Sequence, residues 1–277
     1  MTSSALVLGG GGLTGIGWEA GLLKGLADRG IDLSTADTVV GTSAGSVVGT
    51  LIRSLPLDEV YDLQVAPADA ELGAEFGPMT MLKLAPAVLL PGASRTKRKR
   101  IGSVALRAHP AGGKERVQII RDRIKMTEWP EGELRITAVK ADTGAFRVFT
   151  KDSGIDLVHA VAASCAVPLI WPAVSIADEP YIDGGMRSTA NVDVASDATD
   201  VVVVIAPLPQ AFSRSTRIST QLGRCKAERK VVITPDAQAL AAFGKNVLDP
   251  AKRADAAREG LRQAEEVAEK VRAAWEG

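Results

Sequence analysis

The chain has 277 residues, 46% hydrophobic and 24% charged, enough to bury a sizeable core of the ordinary globular kind. Lys and Arg together number 33, as do Asp and Glu, which excludes a global pull toward nucleic acid or another polyanion. The two cysteines, Cys165 and Cys225, are not spaced like metal ligands and read as reduced, buried thiols. No basic segment leads into an apolar core at the start, so the expectation is a cytoplasmic protein.

Residues 5–8 form an apolar run that ends in four glycines, Gly9 to Gly12. Ile16, Ala20, Leu23 and Leu26 then recur at helical spacing, giving a strand, a glycine loop and a helix. Such a loop presents bare backbone N–H groups to an anion, and two uses compete for it. Gly10, Gly12 and Gly15 fit the G-x-G-x-x-G pattern of dinucleotide binding, which wants an acidic residue about 20 positions on. Asp32 lies in range, but the next strand ends instead in Gly41-Thr42-Ser43-Ala44-Gly45. The other use is an oxyanion hole, with Gly10, Gly11 and Gly12 as donors to an ester carbonyl under attack.

Residues 38–40 read as the end of a buried strand and residues 44–51 as a helix, which leaves Ser43 on the turn between them. This is the geometry of a nucleophile elbow, with Gly41 and Gly45 removing side chains where the backbone doubles back. G-x-S-x-G also occurs by chance as a small-residue turn. The glycine loop before it makes the pair far more specific.

Residues 56–116 look irregular. The apolar stretch 78–91 is broken by prolines and leads into the basic run Arg95-Thr96-Lys97-Arg98-Lys99-Arg100. The run reads as a solvated loop, or as a lid or docking surface whose apolar part enters lipid while its cations meet anionic headgroups. Without interleaved aromatic residues it does not read as a nucleic-acid site. Residues 134–139 and 145–150 alternate like half-buried strands about a turn at 142–144. Residues 157–177 are apolar for about the length of a membrane span, but His159, Ser164, Pro168 and Pro172 make a buried helix running into a loop and strand the better reading.

Ser43 needs a proton acceptor. His109, in a loop, and His159, among apolar helix residues, both read as structural. In Tyr181-Ile182-Asp183-Gly184-Gly185 the aspartate stands at a strand-to-loop boundary where glycines permit close approach, which makes it a candidate base if its site is partly desolvated. Residues 201–206 are expected to be a central parallel strand and 231–235 a final short strand. A charged helix then runs to Trp275, packing through Leu261, Ala264, Val267, Ala268 and Val271.

The glycine loop Gly10–Gly15, the elbow Gly41–Gly45 and the run Asp183-Gly184-Gly185 resemble, in this order, the motifs of the patatin-like phospholipases. Ala163-Ser164-Cys165-Ala166-Val167-Pro168 with Trp171-Pro172 is similar to the stretch before the aspartate strand in that family. The resemblance covers about residues 5–208. It implies a three-layer α/β/α fold with a mainly parallel sheet; beyond it, the helical pattern of residues 209–277 reads as a mostly helical extension packed on the core. It also implies Ser43 as nucleophile and Asp183 as proton acceptor, acting on phospholipid or other lipid esters without metal or cofactor. The family commonly has an arginine where this chain has Thr14. Three readings stand at this stage: a lipid acyl hydrolase, in peripheral contact with an anionic membrane through residues 78–100; an acyltransferase of the same fold; or a non-catalytic nucleotide-binding or regulatory module using the glycine loop. Oligomeric state and headgroup are left open.

Overall fold

A computed structural model describes residues 3–67, 73–75, 77–108, 113–198, 200–211 and 213–277. Strands β1 (Ser4–Leu8), β2 (Thr38–Gly41), β3 (Glu133–Lys140), β4 (Phe146–Phe149), β5 (Val174–Ile176), β6 (Glu179–Asp183), β7 (Val201–Ile205) and β8 (Arg229–Ile233) form one sheet. Their order is β5-β6-β3-β2-β1-β7-β8, with β4 paired to β3. The run β3-β2-β1-β7-β8 is parallel throughout, whereas β4, β5 and β6 join antiparallel. The expected central strand, β7, is interior but stands one place from the edge. It is buried along its whole length, as a strand covered on both faces requires.

Leu6 and Leu8 face one layer, made by α1 (Gly12–Ala27), α2 (Ala44–Ile52), α7 (Leu157–Ser164) and α10 (Arg253–Trp275). Ala5 and Val7 face the other, closed by residues 190–198 and α8 (Ile218–Leu222). Further along that side, α4 (Pro78–Leu89) and α5 (Ser94–Ala108) cover Val139 and Ile182. The architecture is therefore three-layer α/β/α. Residues 209–277 supply the edge strand β8 as well as α9 (Ala237–Phe243) and α10, which packs along α1. The α1–α10 approach is so close that a Cβ on Gly21 would overlap the Ala257 carbonyl, and one on Gly260 the Trp18 carbonyl.

The stretch expected to be irregular is largely helical, with α3 (Leu57–Val65) and α6 (Gly113–Ile124) joining α4 and α5. The prolines misled for identifiable reasons. Pro78 occupies the first helical position, where a missing N–H costs nothing, and α4 tolerates Pro86. The basic run lies in α5, not in a loop, because Lys and Arg are good helix formers and Ile101, Gly102 and Ala105 give the helix a buried face. The apolar segment 157–177 breaks as expected into α7, a turn and β5. Among the described residues no helix is long and apolar enough to cross a membrane.

Candidate active site

The sheet topology explains how distant motifs meet. Because β1 and β2 are parallel neighbours with Leu8 opposite Gly41, the glycine loop and the elbow leave the same sheet edge side by side. On the far side of β3, β6 runs antiparallel, so its last residue arrives at that edge from outside. Ile136 of β3 is opposite Gly41 and Ala138 is opposite Asp183, which sets Asp183 two positions beyond Gly41, level with Ser43.

Ser43 adopts φ 52° and ψ −115°, a conformation that L residues avoid and that the turn imposes. It persists because its surroundings hold it. Ser164 Oγ accepts from the Ser43 N–H at 2.9 Å, and Ser46 Oγ donates to the Ser43 carbonyl at 2.6 Å. Gly45 donates to the Gly9 carbonyl at 2.9 Å, and a Cβ at this position would overlap the Leu8 carbonyl. The elbow is thus bolted to the strand that carries the glycine loop. Ser43 retains 9% exposure at the floor of a cleft.

Asp183 is 2% exposed. Burial pushes its carboxyl up to about 6, while hydrogen bonding to the Ser43 hydroxyl and the Gly185 N–H, together with the Arg116 charge, works in the opposite direction. The Gly185 N–H lies 2.7 Å from Oδ1. A polar cluster braces the two motifs against each other. Thr42 Oγ1 and Thr137 Oγ1 are 2.8 Å apart, and the Asn191 amide donates to the Ser188 carbonyl at 2.7 Å while reaching Thr42 Oγ1 at 3.1 Å and the Gly184 carbonyl at 3.3 Å. Asn191 itself takes the left-handed conformation, φ 50°, that asparagine tolerates better than most residues.

Of the three expected oxyanion donors, Gly10 is committed elsewhere: its N–H donates to the Thr189 carbonyl at 2.7 Å. Gly11 and Gly12 stand at the N-terminus of α1, where backbone N–H groups have no acceptor within the helix and the helix dipole favours negative charge. Ala44, the first residue of α2 and next after the serine, has the same standing. Gly15 N–H closes the first turn on the Gly11 carbonyl at 2.9 Å, and Thr14 N–H donates to the Val247 carbonyl at 3.2 Å. Thr14 is fully buried and carries no charge to the site.

An apolar cavity of about 160 Å³ opens beside Ser43, Asp183 and Gly10–Gly12, walled by Val167, Met186, Leu208, Val247 and Leu248. A second, narrower cleft reaches Ser43 between α1 and α6. Sequence reasoning missed Ser164, Asn191, Arg116 and the 247–248 wall. The first lay inside a motif already quoted, and a loop asparagine after paired glycines hints at a left-handed turn. Nothing in the sequence around Arg116 signals its position. Cys165 lies beside the elbow, its Sγ 3.4 Å from the Ser43 carbonyl; burial pushes its thiol up to about 11, which keeps it protonated and inert. His159 sits in the first turn of α7, its Nδ1 2.6 Å from Asp156 Oδ2. His109 lies outside the described residues. Asp32 accepts from Ser34 N–H before β2 begins, not at the carboxyl end of that strand where a ribose would be read.

No curated protein matches the chain. Among solved structures it is similar to VipD from Legionella pneumophila, at 13% identity and a TM-score of 0.48, over 98% of this chain and 67% of that one. It is also similar to the type III effector protein ExoU, at 15% identity and a TM-score of 0.45, over 98% of this chain and 53% of the effector. Residues 6–196 match the family model described as patatin-like phospholipase, a span that holds the glycine loop, the elbow and the aspartate. The chain belongs to the patatin-like phospholipase family.

Proposed function

We propose that the protein is a lipid acyl hydrolase in which Ser43 is the nucleophile and Asp183 its proton acceptor. The observation that carries this reading is the buried pair itself. A strained serine and a carboxyl raised to about 6 by burial line one apolar cavity where a helix N-terminus converges on them. A carboxylate in water is too weak a base for a serine hydroxyl, and desolvation narrows that gap.

In the proposed reaction Asp183 takes the Ser43 proton as Oγ adds to the ester carbonyl carbon. The N–H groups of Gly11, Gly12 and Ala44 receive the developing oxyanion. When the tetrahedral species collapses, the bond from the carbonyl carbon to the alcohol oxygen breaks, and Asp183 returns the proton to the departing alcohol. Asp183 then deprotonates water, which attacks the acyl-serine and releases the fatty acid, with the proton going back to Ser43 Oγ. An alcohol in place of that water would give acyl transfer. The apolar cavity suits the acyl chain.

The test is labelling with a lipid-like fluorophosphonate. Wild type is expected to label, Ser43→Ala not at all, and Asp183→Asn more slowly by a factor of about 10²–10⁴. Wild type that stays unlabelled in the presence of vesicles would remove the catalytic reading.

Contact with the substrate's membrane belongs to the same proposal. Met79, Leu82, Leu89 and Leu90 are each at least half exposed on or beside α4, and the cationic α5 follows. Apolar side chains in the acyl region with cations at headgroup level is the arrangement of an interfacial helix.

A further inference from the structure

The apolar cavity beside Ser43 is small for a lipid chain. Its volume is about 160 Å³. An apolar cavity of about 150 Å³ takes one benzene ring, so this one has room for about six carbons. Met186, Leu208 and Val247 are half-buried and form its rim, whereas Leu248 is buried at 9% exposure. Leu248 also lines the narrower cleft between α1 and α6, so its side chain stands between the two spaces as a wall.

Val247 and Leu248 belong to residues 244–252, which join α9 to α10 and cross the N-terminus of α1 as a strap. The strap is held at several points. Thr14 N–H donates to the Val247 carbonyl, and a Cβ on Gly12 would lie 2.5 Å from the same oxygen. The Asn246 amide donates to the Ala74 carbonyl at 2.8 Å, while Asn246 Oδ1 accepts from the Leu248 N–H at 3.2 Å. These bonds fix Leu248 against the glycine loop, so an entering chain meets a set wall. The strap also lies outside residues 6–196, the span that matches the family model.

We propose that this strap sets the acyl length the site recognises, at about six carbons, with Leu248 as the inner wall and Val247 at the rim. This rests on the hydrolase reading above and specifies which acyl groups it favours. Each methylene added within the cavity leaves water for an apolar wall, whereas one added past the rim stays in water and gains little. The limit is a property of this chain, because the part that imposes it lies beyond the matched span.

The experiment measures kcat/KM for p-nitrophenyl esters with acyl chains of about four to about twelve carbons, each below its critical micelle concentration. Wild type is expected to gain about threefold to fourfold per methylene up to about six carbons, the worth of burying one CH₂, and then to level off. Leu248→Ala and Val247→Ala remove wall atoms and should move that break to longer chains, by about three and about two carbons. Leu248→Phe fills the space and should move it to shorter ones. Shifts of opposite sign at one position are not produced by a general loosening of the fold, and Val247→Ala, at a half-buried site, carries the test if Leu248→Ala does not fold. A wild-type rate that climbs by the same step through the longest ester, or a break at one length in every folded variant, would overturn the proposal and leave the hydrolase standing. Hydrolysis of no ester of any length would count against the hydrolase itself, and the length limit would fall with it.

Discussion

Around Ser43 the chain is fixed through its backbone. The Gly45 amide is bonded to the Gly9 carbonyl, the Ser43 amide to Ser164, and the Asp183 amide to the Ala166 carbonyl at 3.0 Å. In the α4–α5 arm the ties come from long side chains: Arg95 and Arg98 donate to the Thr143 and Gly144 carbonyls, and Arg100 donates to Leu90 and Pro91. Met79, Leu82, Leu89 and Leu90 stay outside, while Leu84 and Ile101 turn inward. The first region allows almost no substitution because the space is already filled by main chain. The second can change its outer face at little cost, which suits a surface that meets something other than this chain.

The sharpest way to break that comparison is Gly45→Val. The added side chain would have to displace the end of β1, so we expect destabilisation of at least about 3 kcal/mol together with loss of labelling, read by urea denaturation and fluorophosphonate reaction. A soluble, active Gly45→Val protein would show that the elbow is looser than the geometry implies.

Asp183→Asn separates stability from activity. Burial raises the folded-state carboxyl from 3.8 to about 6, so between those values the folded chain holds a proton that the unfolded chain has lost. This stabilisation is complete below pH 3.8 and lost as pH rises through about 6. At pH 8 the ionised aspartate therefore costs the fold about 3 kcal/mol relative to an uncharged group. Asp183→Asn is expected to react more slowly by the same factor of about 10²–10⁴, yet to be more stable than wild type at pH 8, with the difference shrinking toward pH 4. Glu19, buried in α1, is shifted in the same direction, and comparing the two proteins at each pH cancels its contribution. Wild-type kcat/KM should rise with pH through about 6 and then level off, since the base must be ionised.

The polar brace gives a smaller effect. Asn191→Ala removes the amide that joins the elbow to the Asp183 loop and leaves an alanine at φ 50°, for an expected loss of about 2–3 kcal/mol. If Asn191 positions the pair, kcat falls while KM for a short soluble ester holds. Equal changes in both would reduce the residue to a stabilising role.

This contrast also explains what was legible in the sequence. Gly41–Gly45 and Asp183-Gly184-Gly185 are visible because backbone collisions permit few residue types there, and the alternation in β3 and β4 is visible because one buried face imposes it. The α4–α5 arm was misread because its helices depend on tertiary contacts that prolines and a charge run conceal. Arg116 was invisible because its partner Trp171 is distant in sequence, and Asn191 offers a turn hint but not its role, because Thr42, which it braces, is equally distant. The occupied Gly10 amide could not be foreseen either, since its acceptor, Thr189, follows the aspartate strand.

The arm offers the gentlest test. Leu82 is 66% exposed and Leu89 77%, so Leu82→Ser and Leu89→Ser should change folding stability by no more than about 0.5 kcal/mol. If these side chains enter lipid, the double variant should bind anionic vesicles at least about tenfold more weakly, because each leucine forfeits part of the ~1.5–3 kcal/mol its full burial is worth. Charge reversal needs more care than the basic run suggests. Arg98 and Arg100 tie α5 to neighbouring backbone, whereas Lys99 is exposed, so Lys99→Glu changes the charge without cutting those ties. A drop in vesicle sedimentation for the leucine pair, with Lys99→Glu weakening binding and flattening its response to salt, would mark the arm as the membrane-facing side. Unchanged sedimentation in all three would leave the arm as cover for Val139 and Ile182 and nothing more.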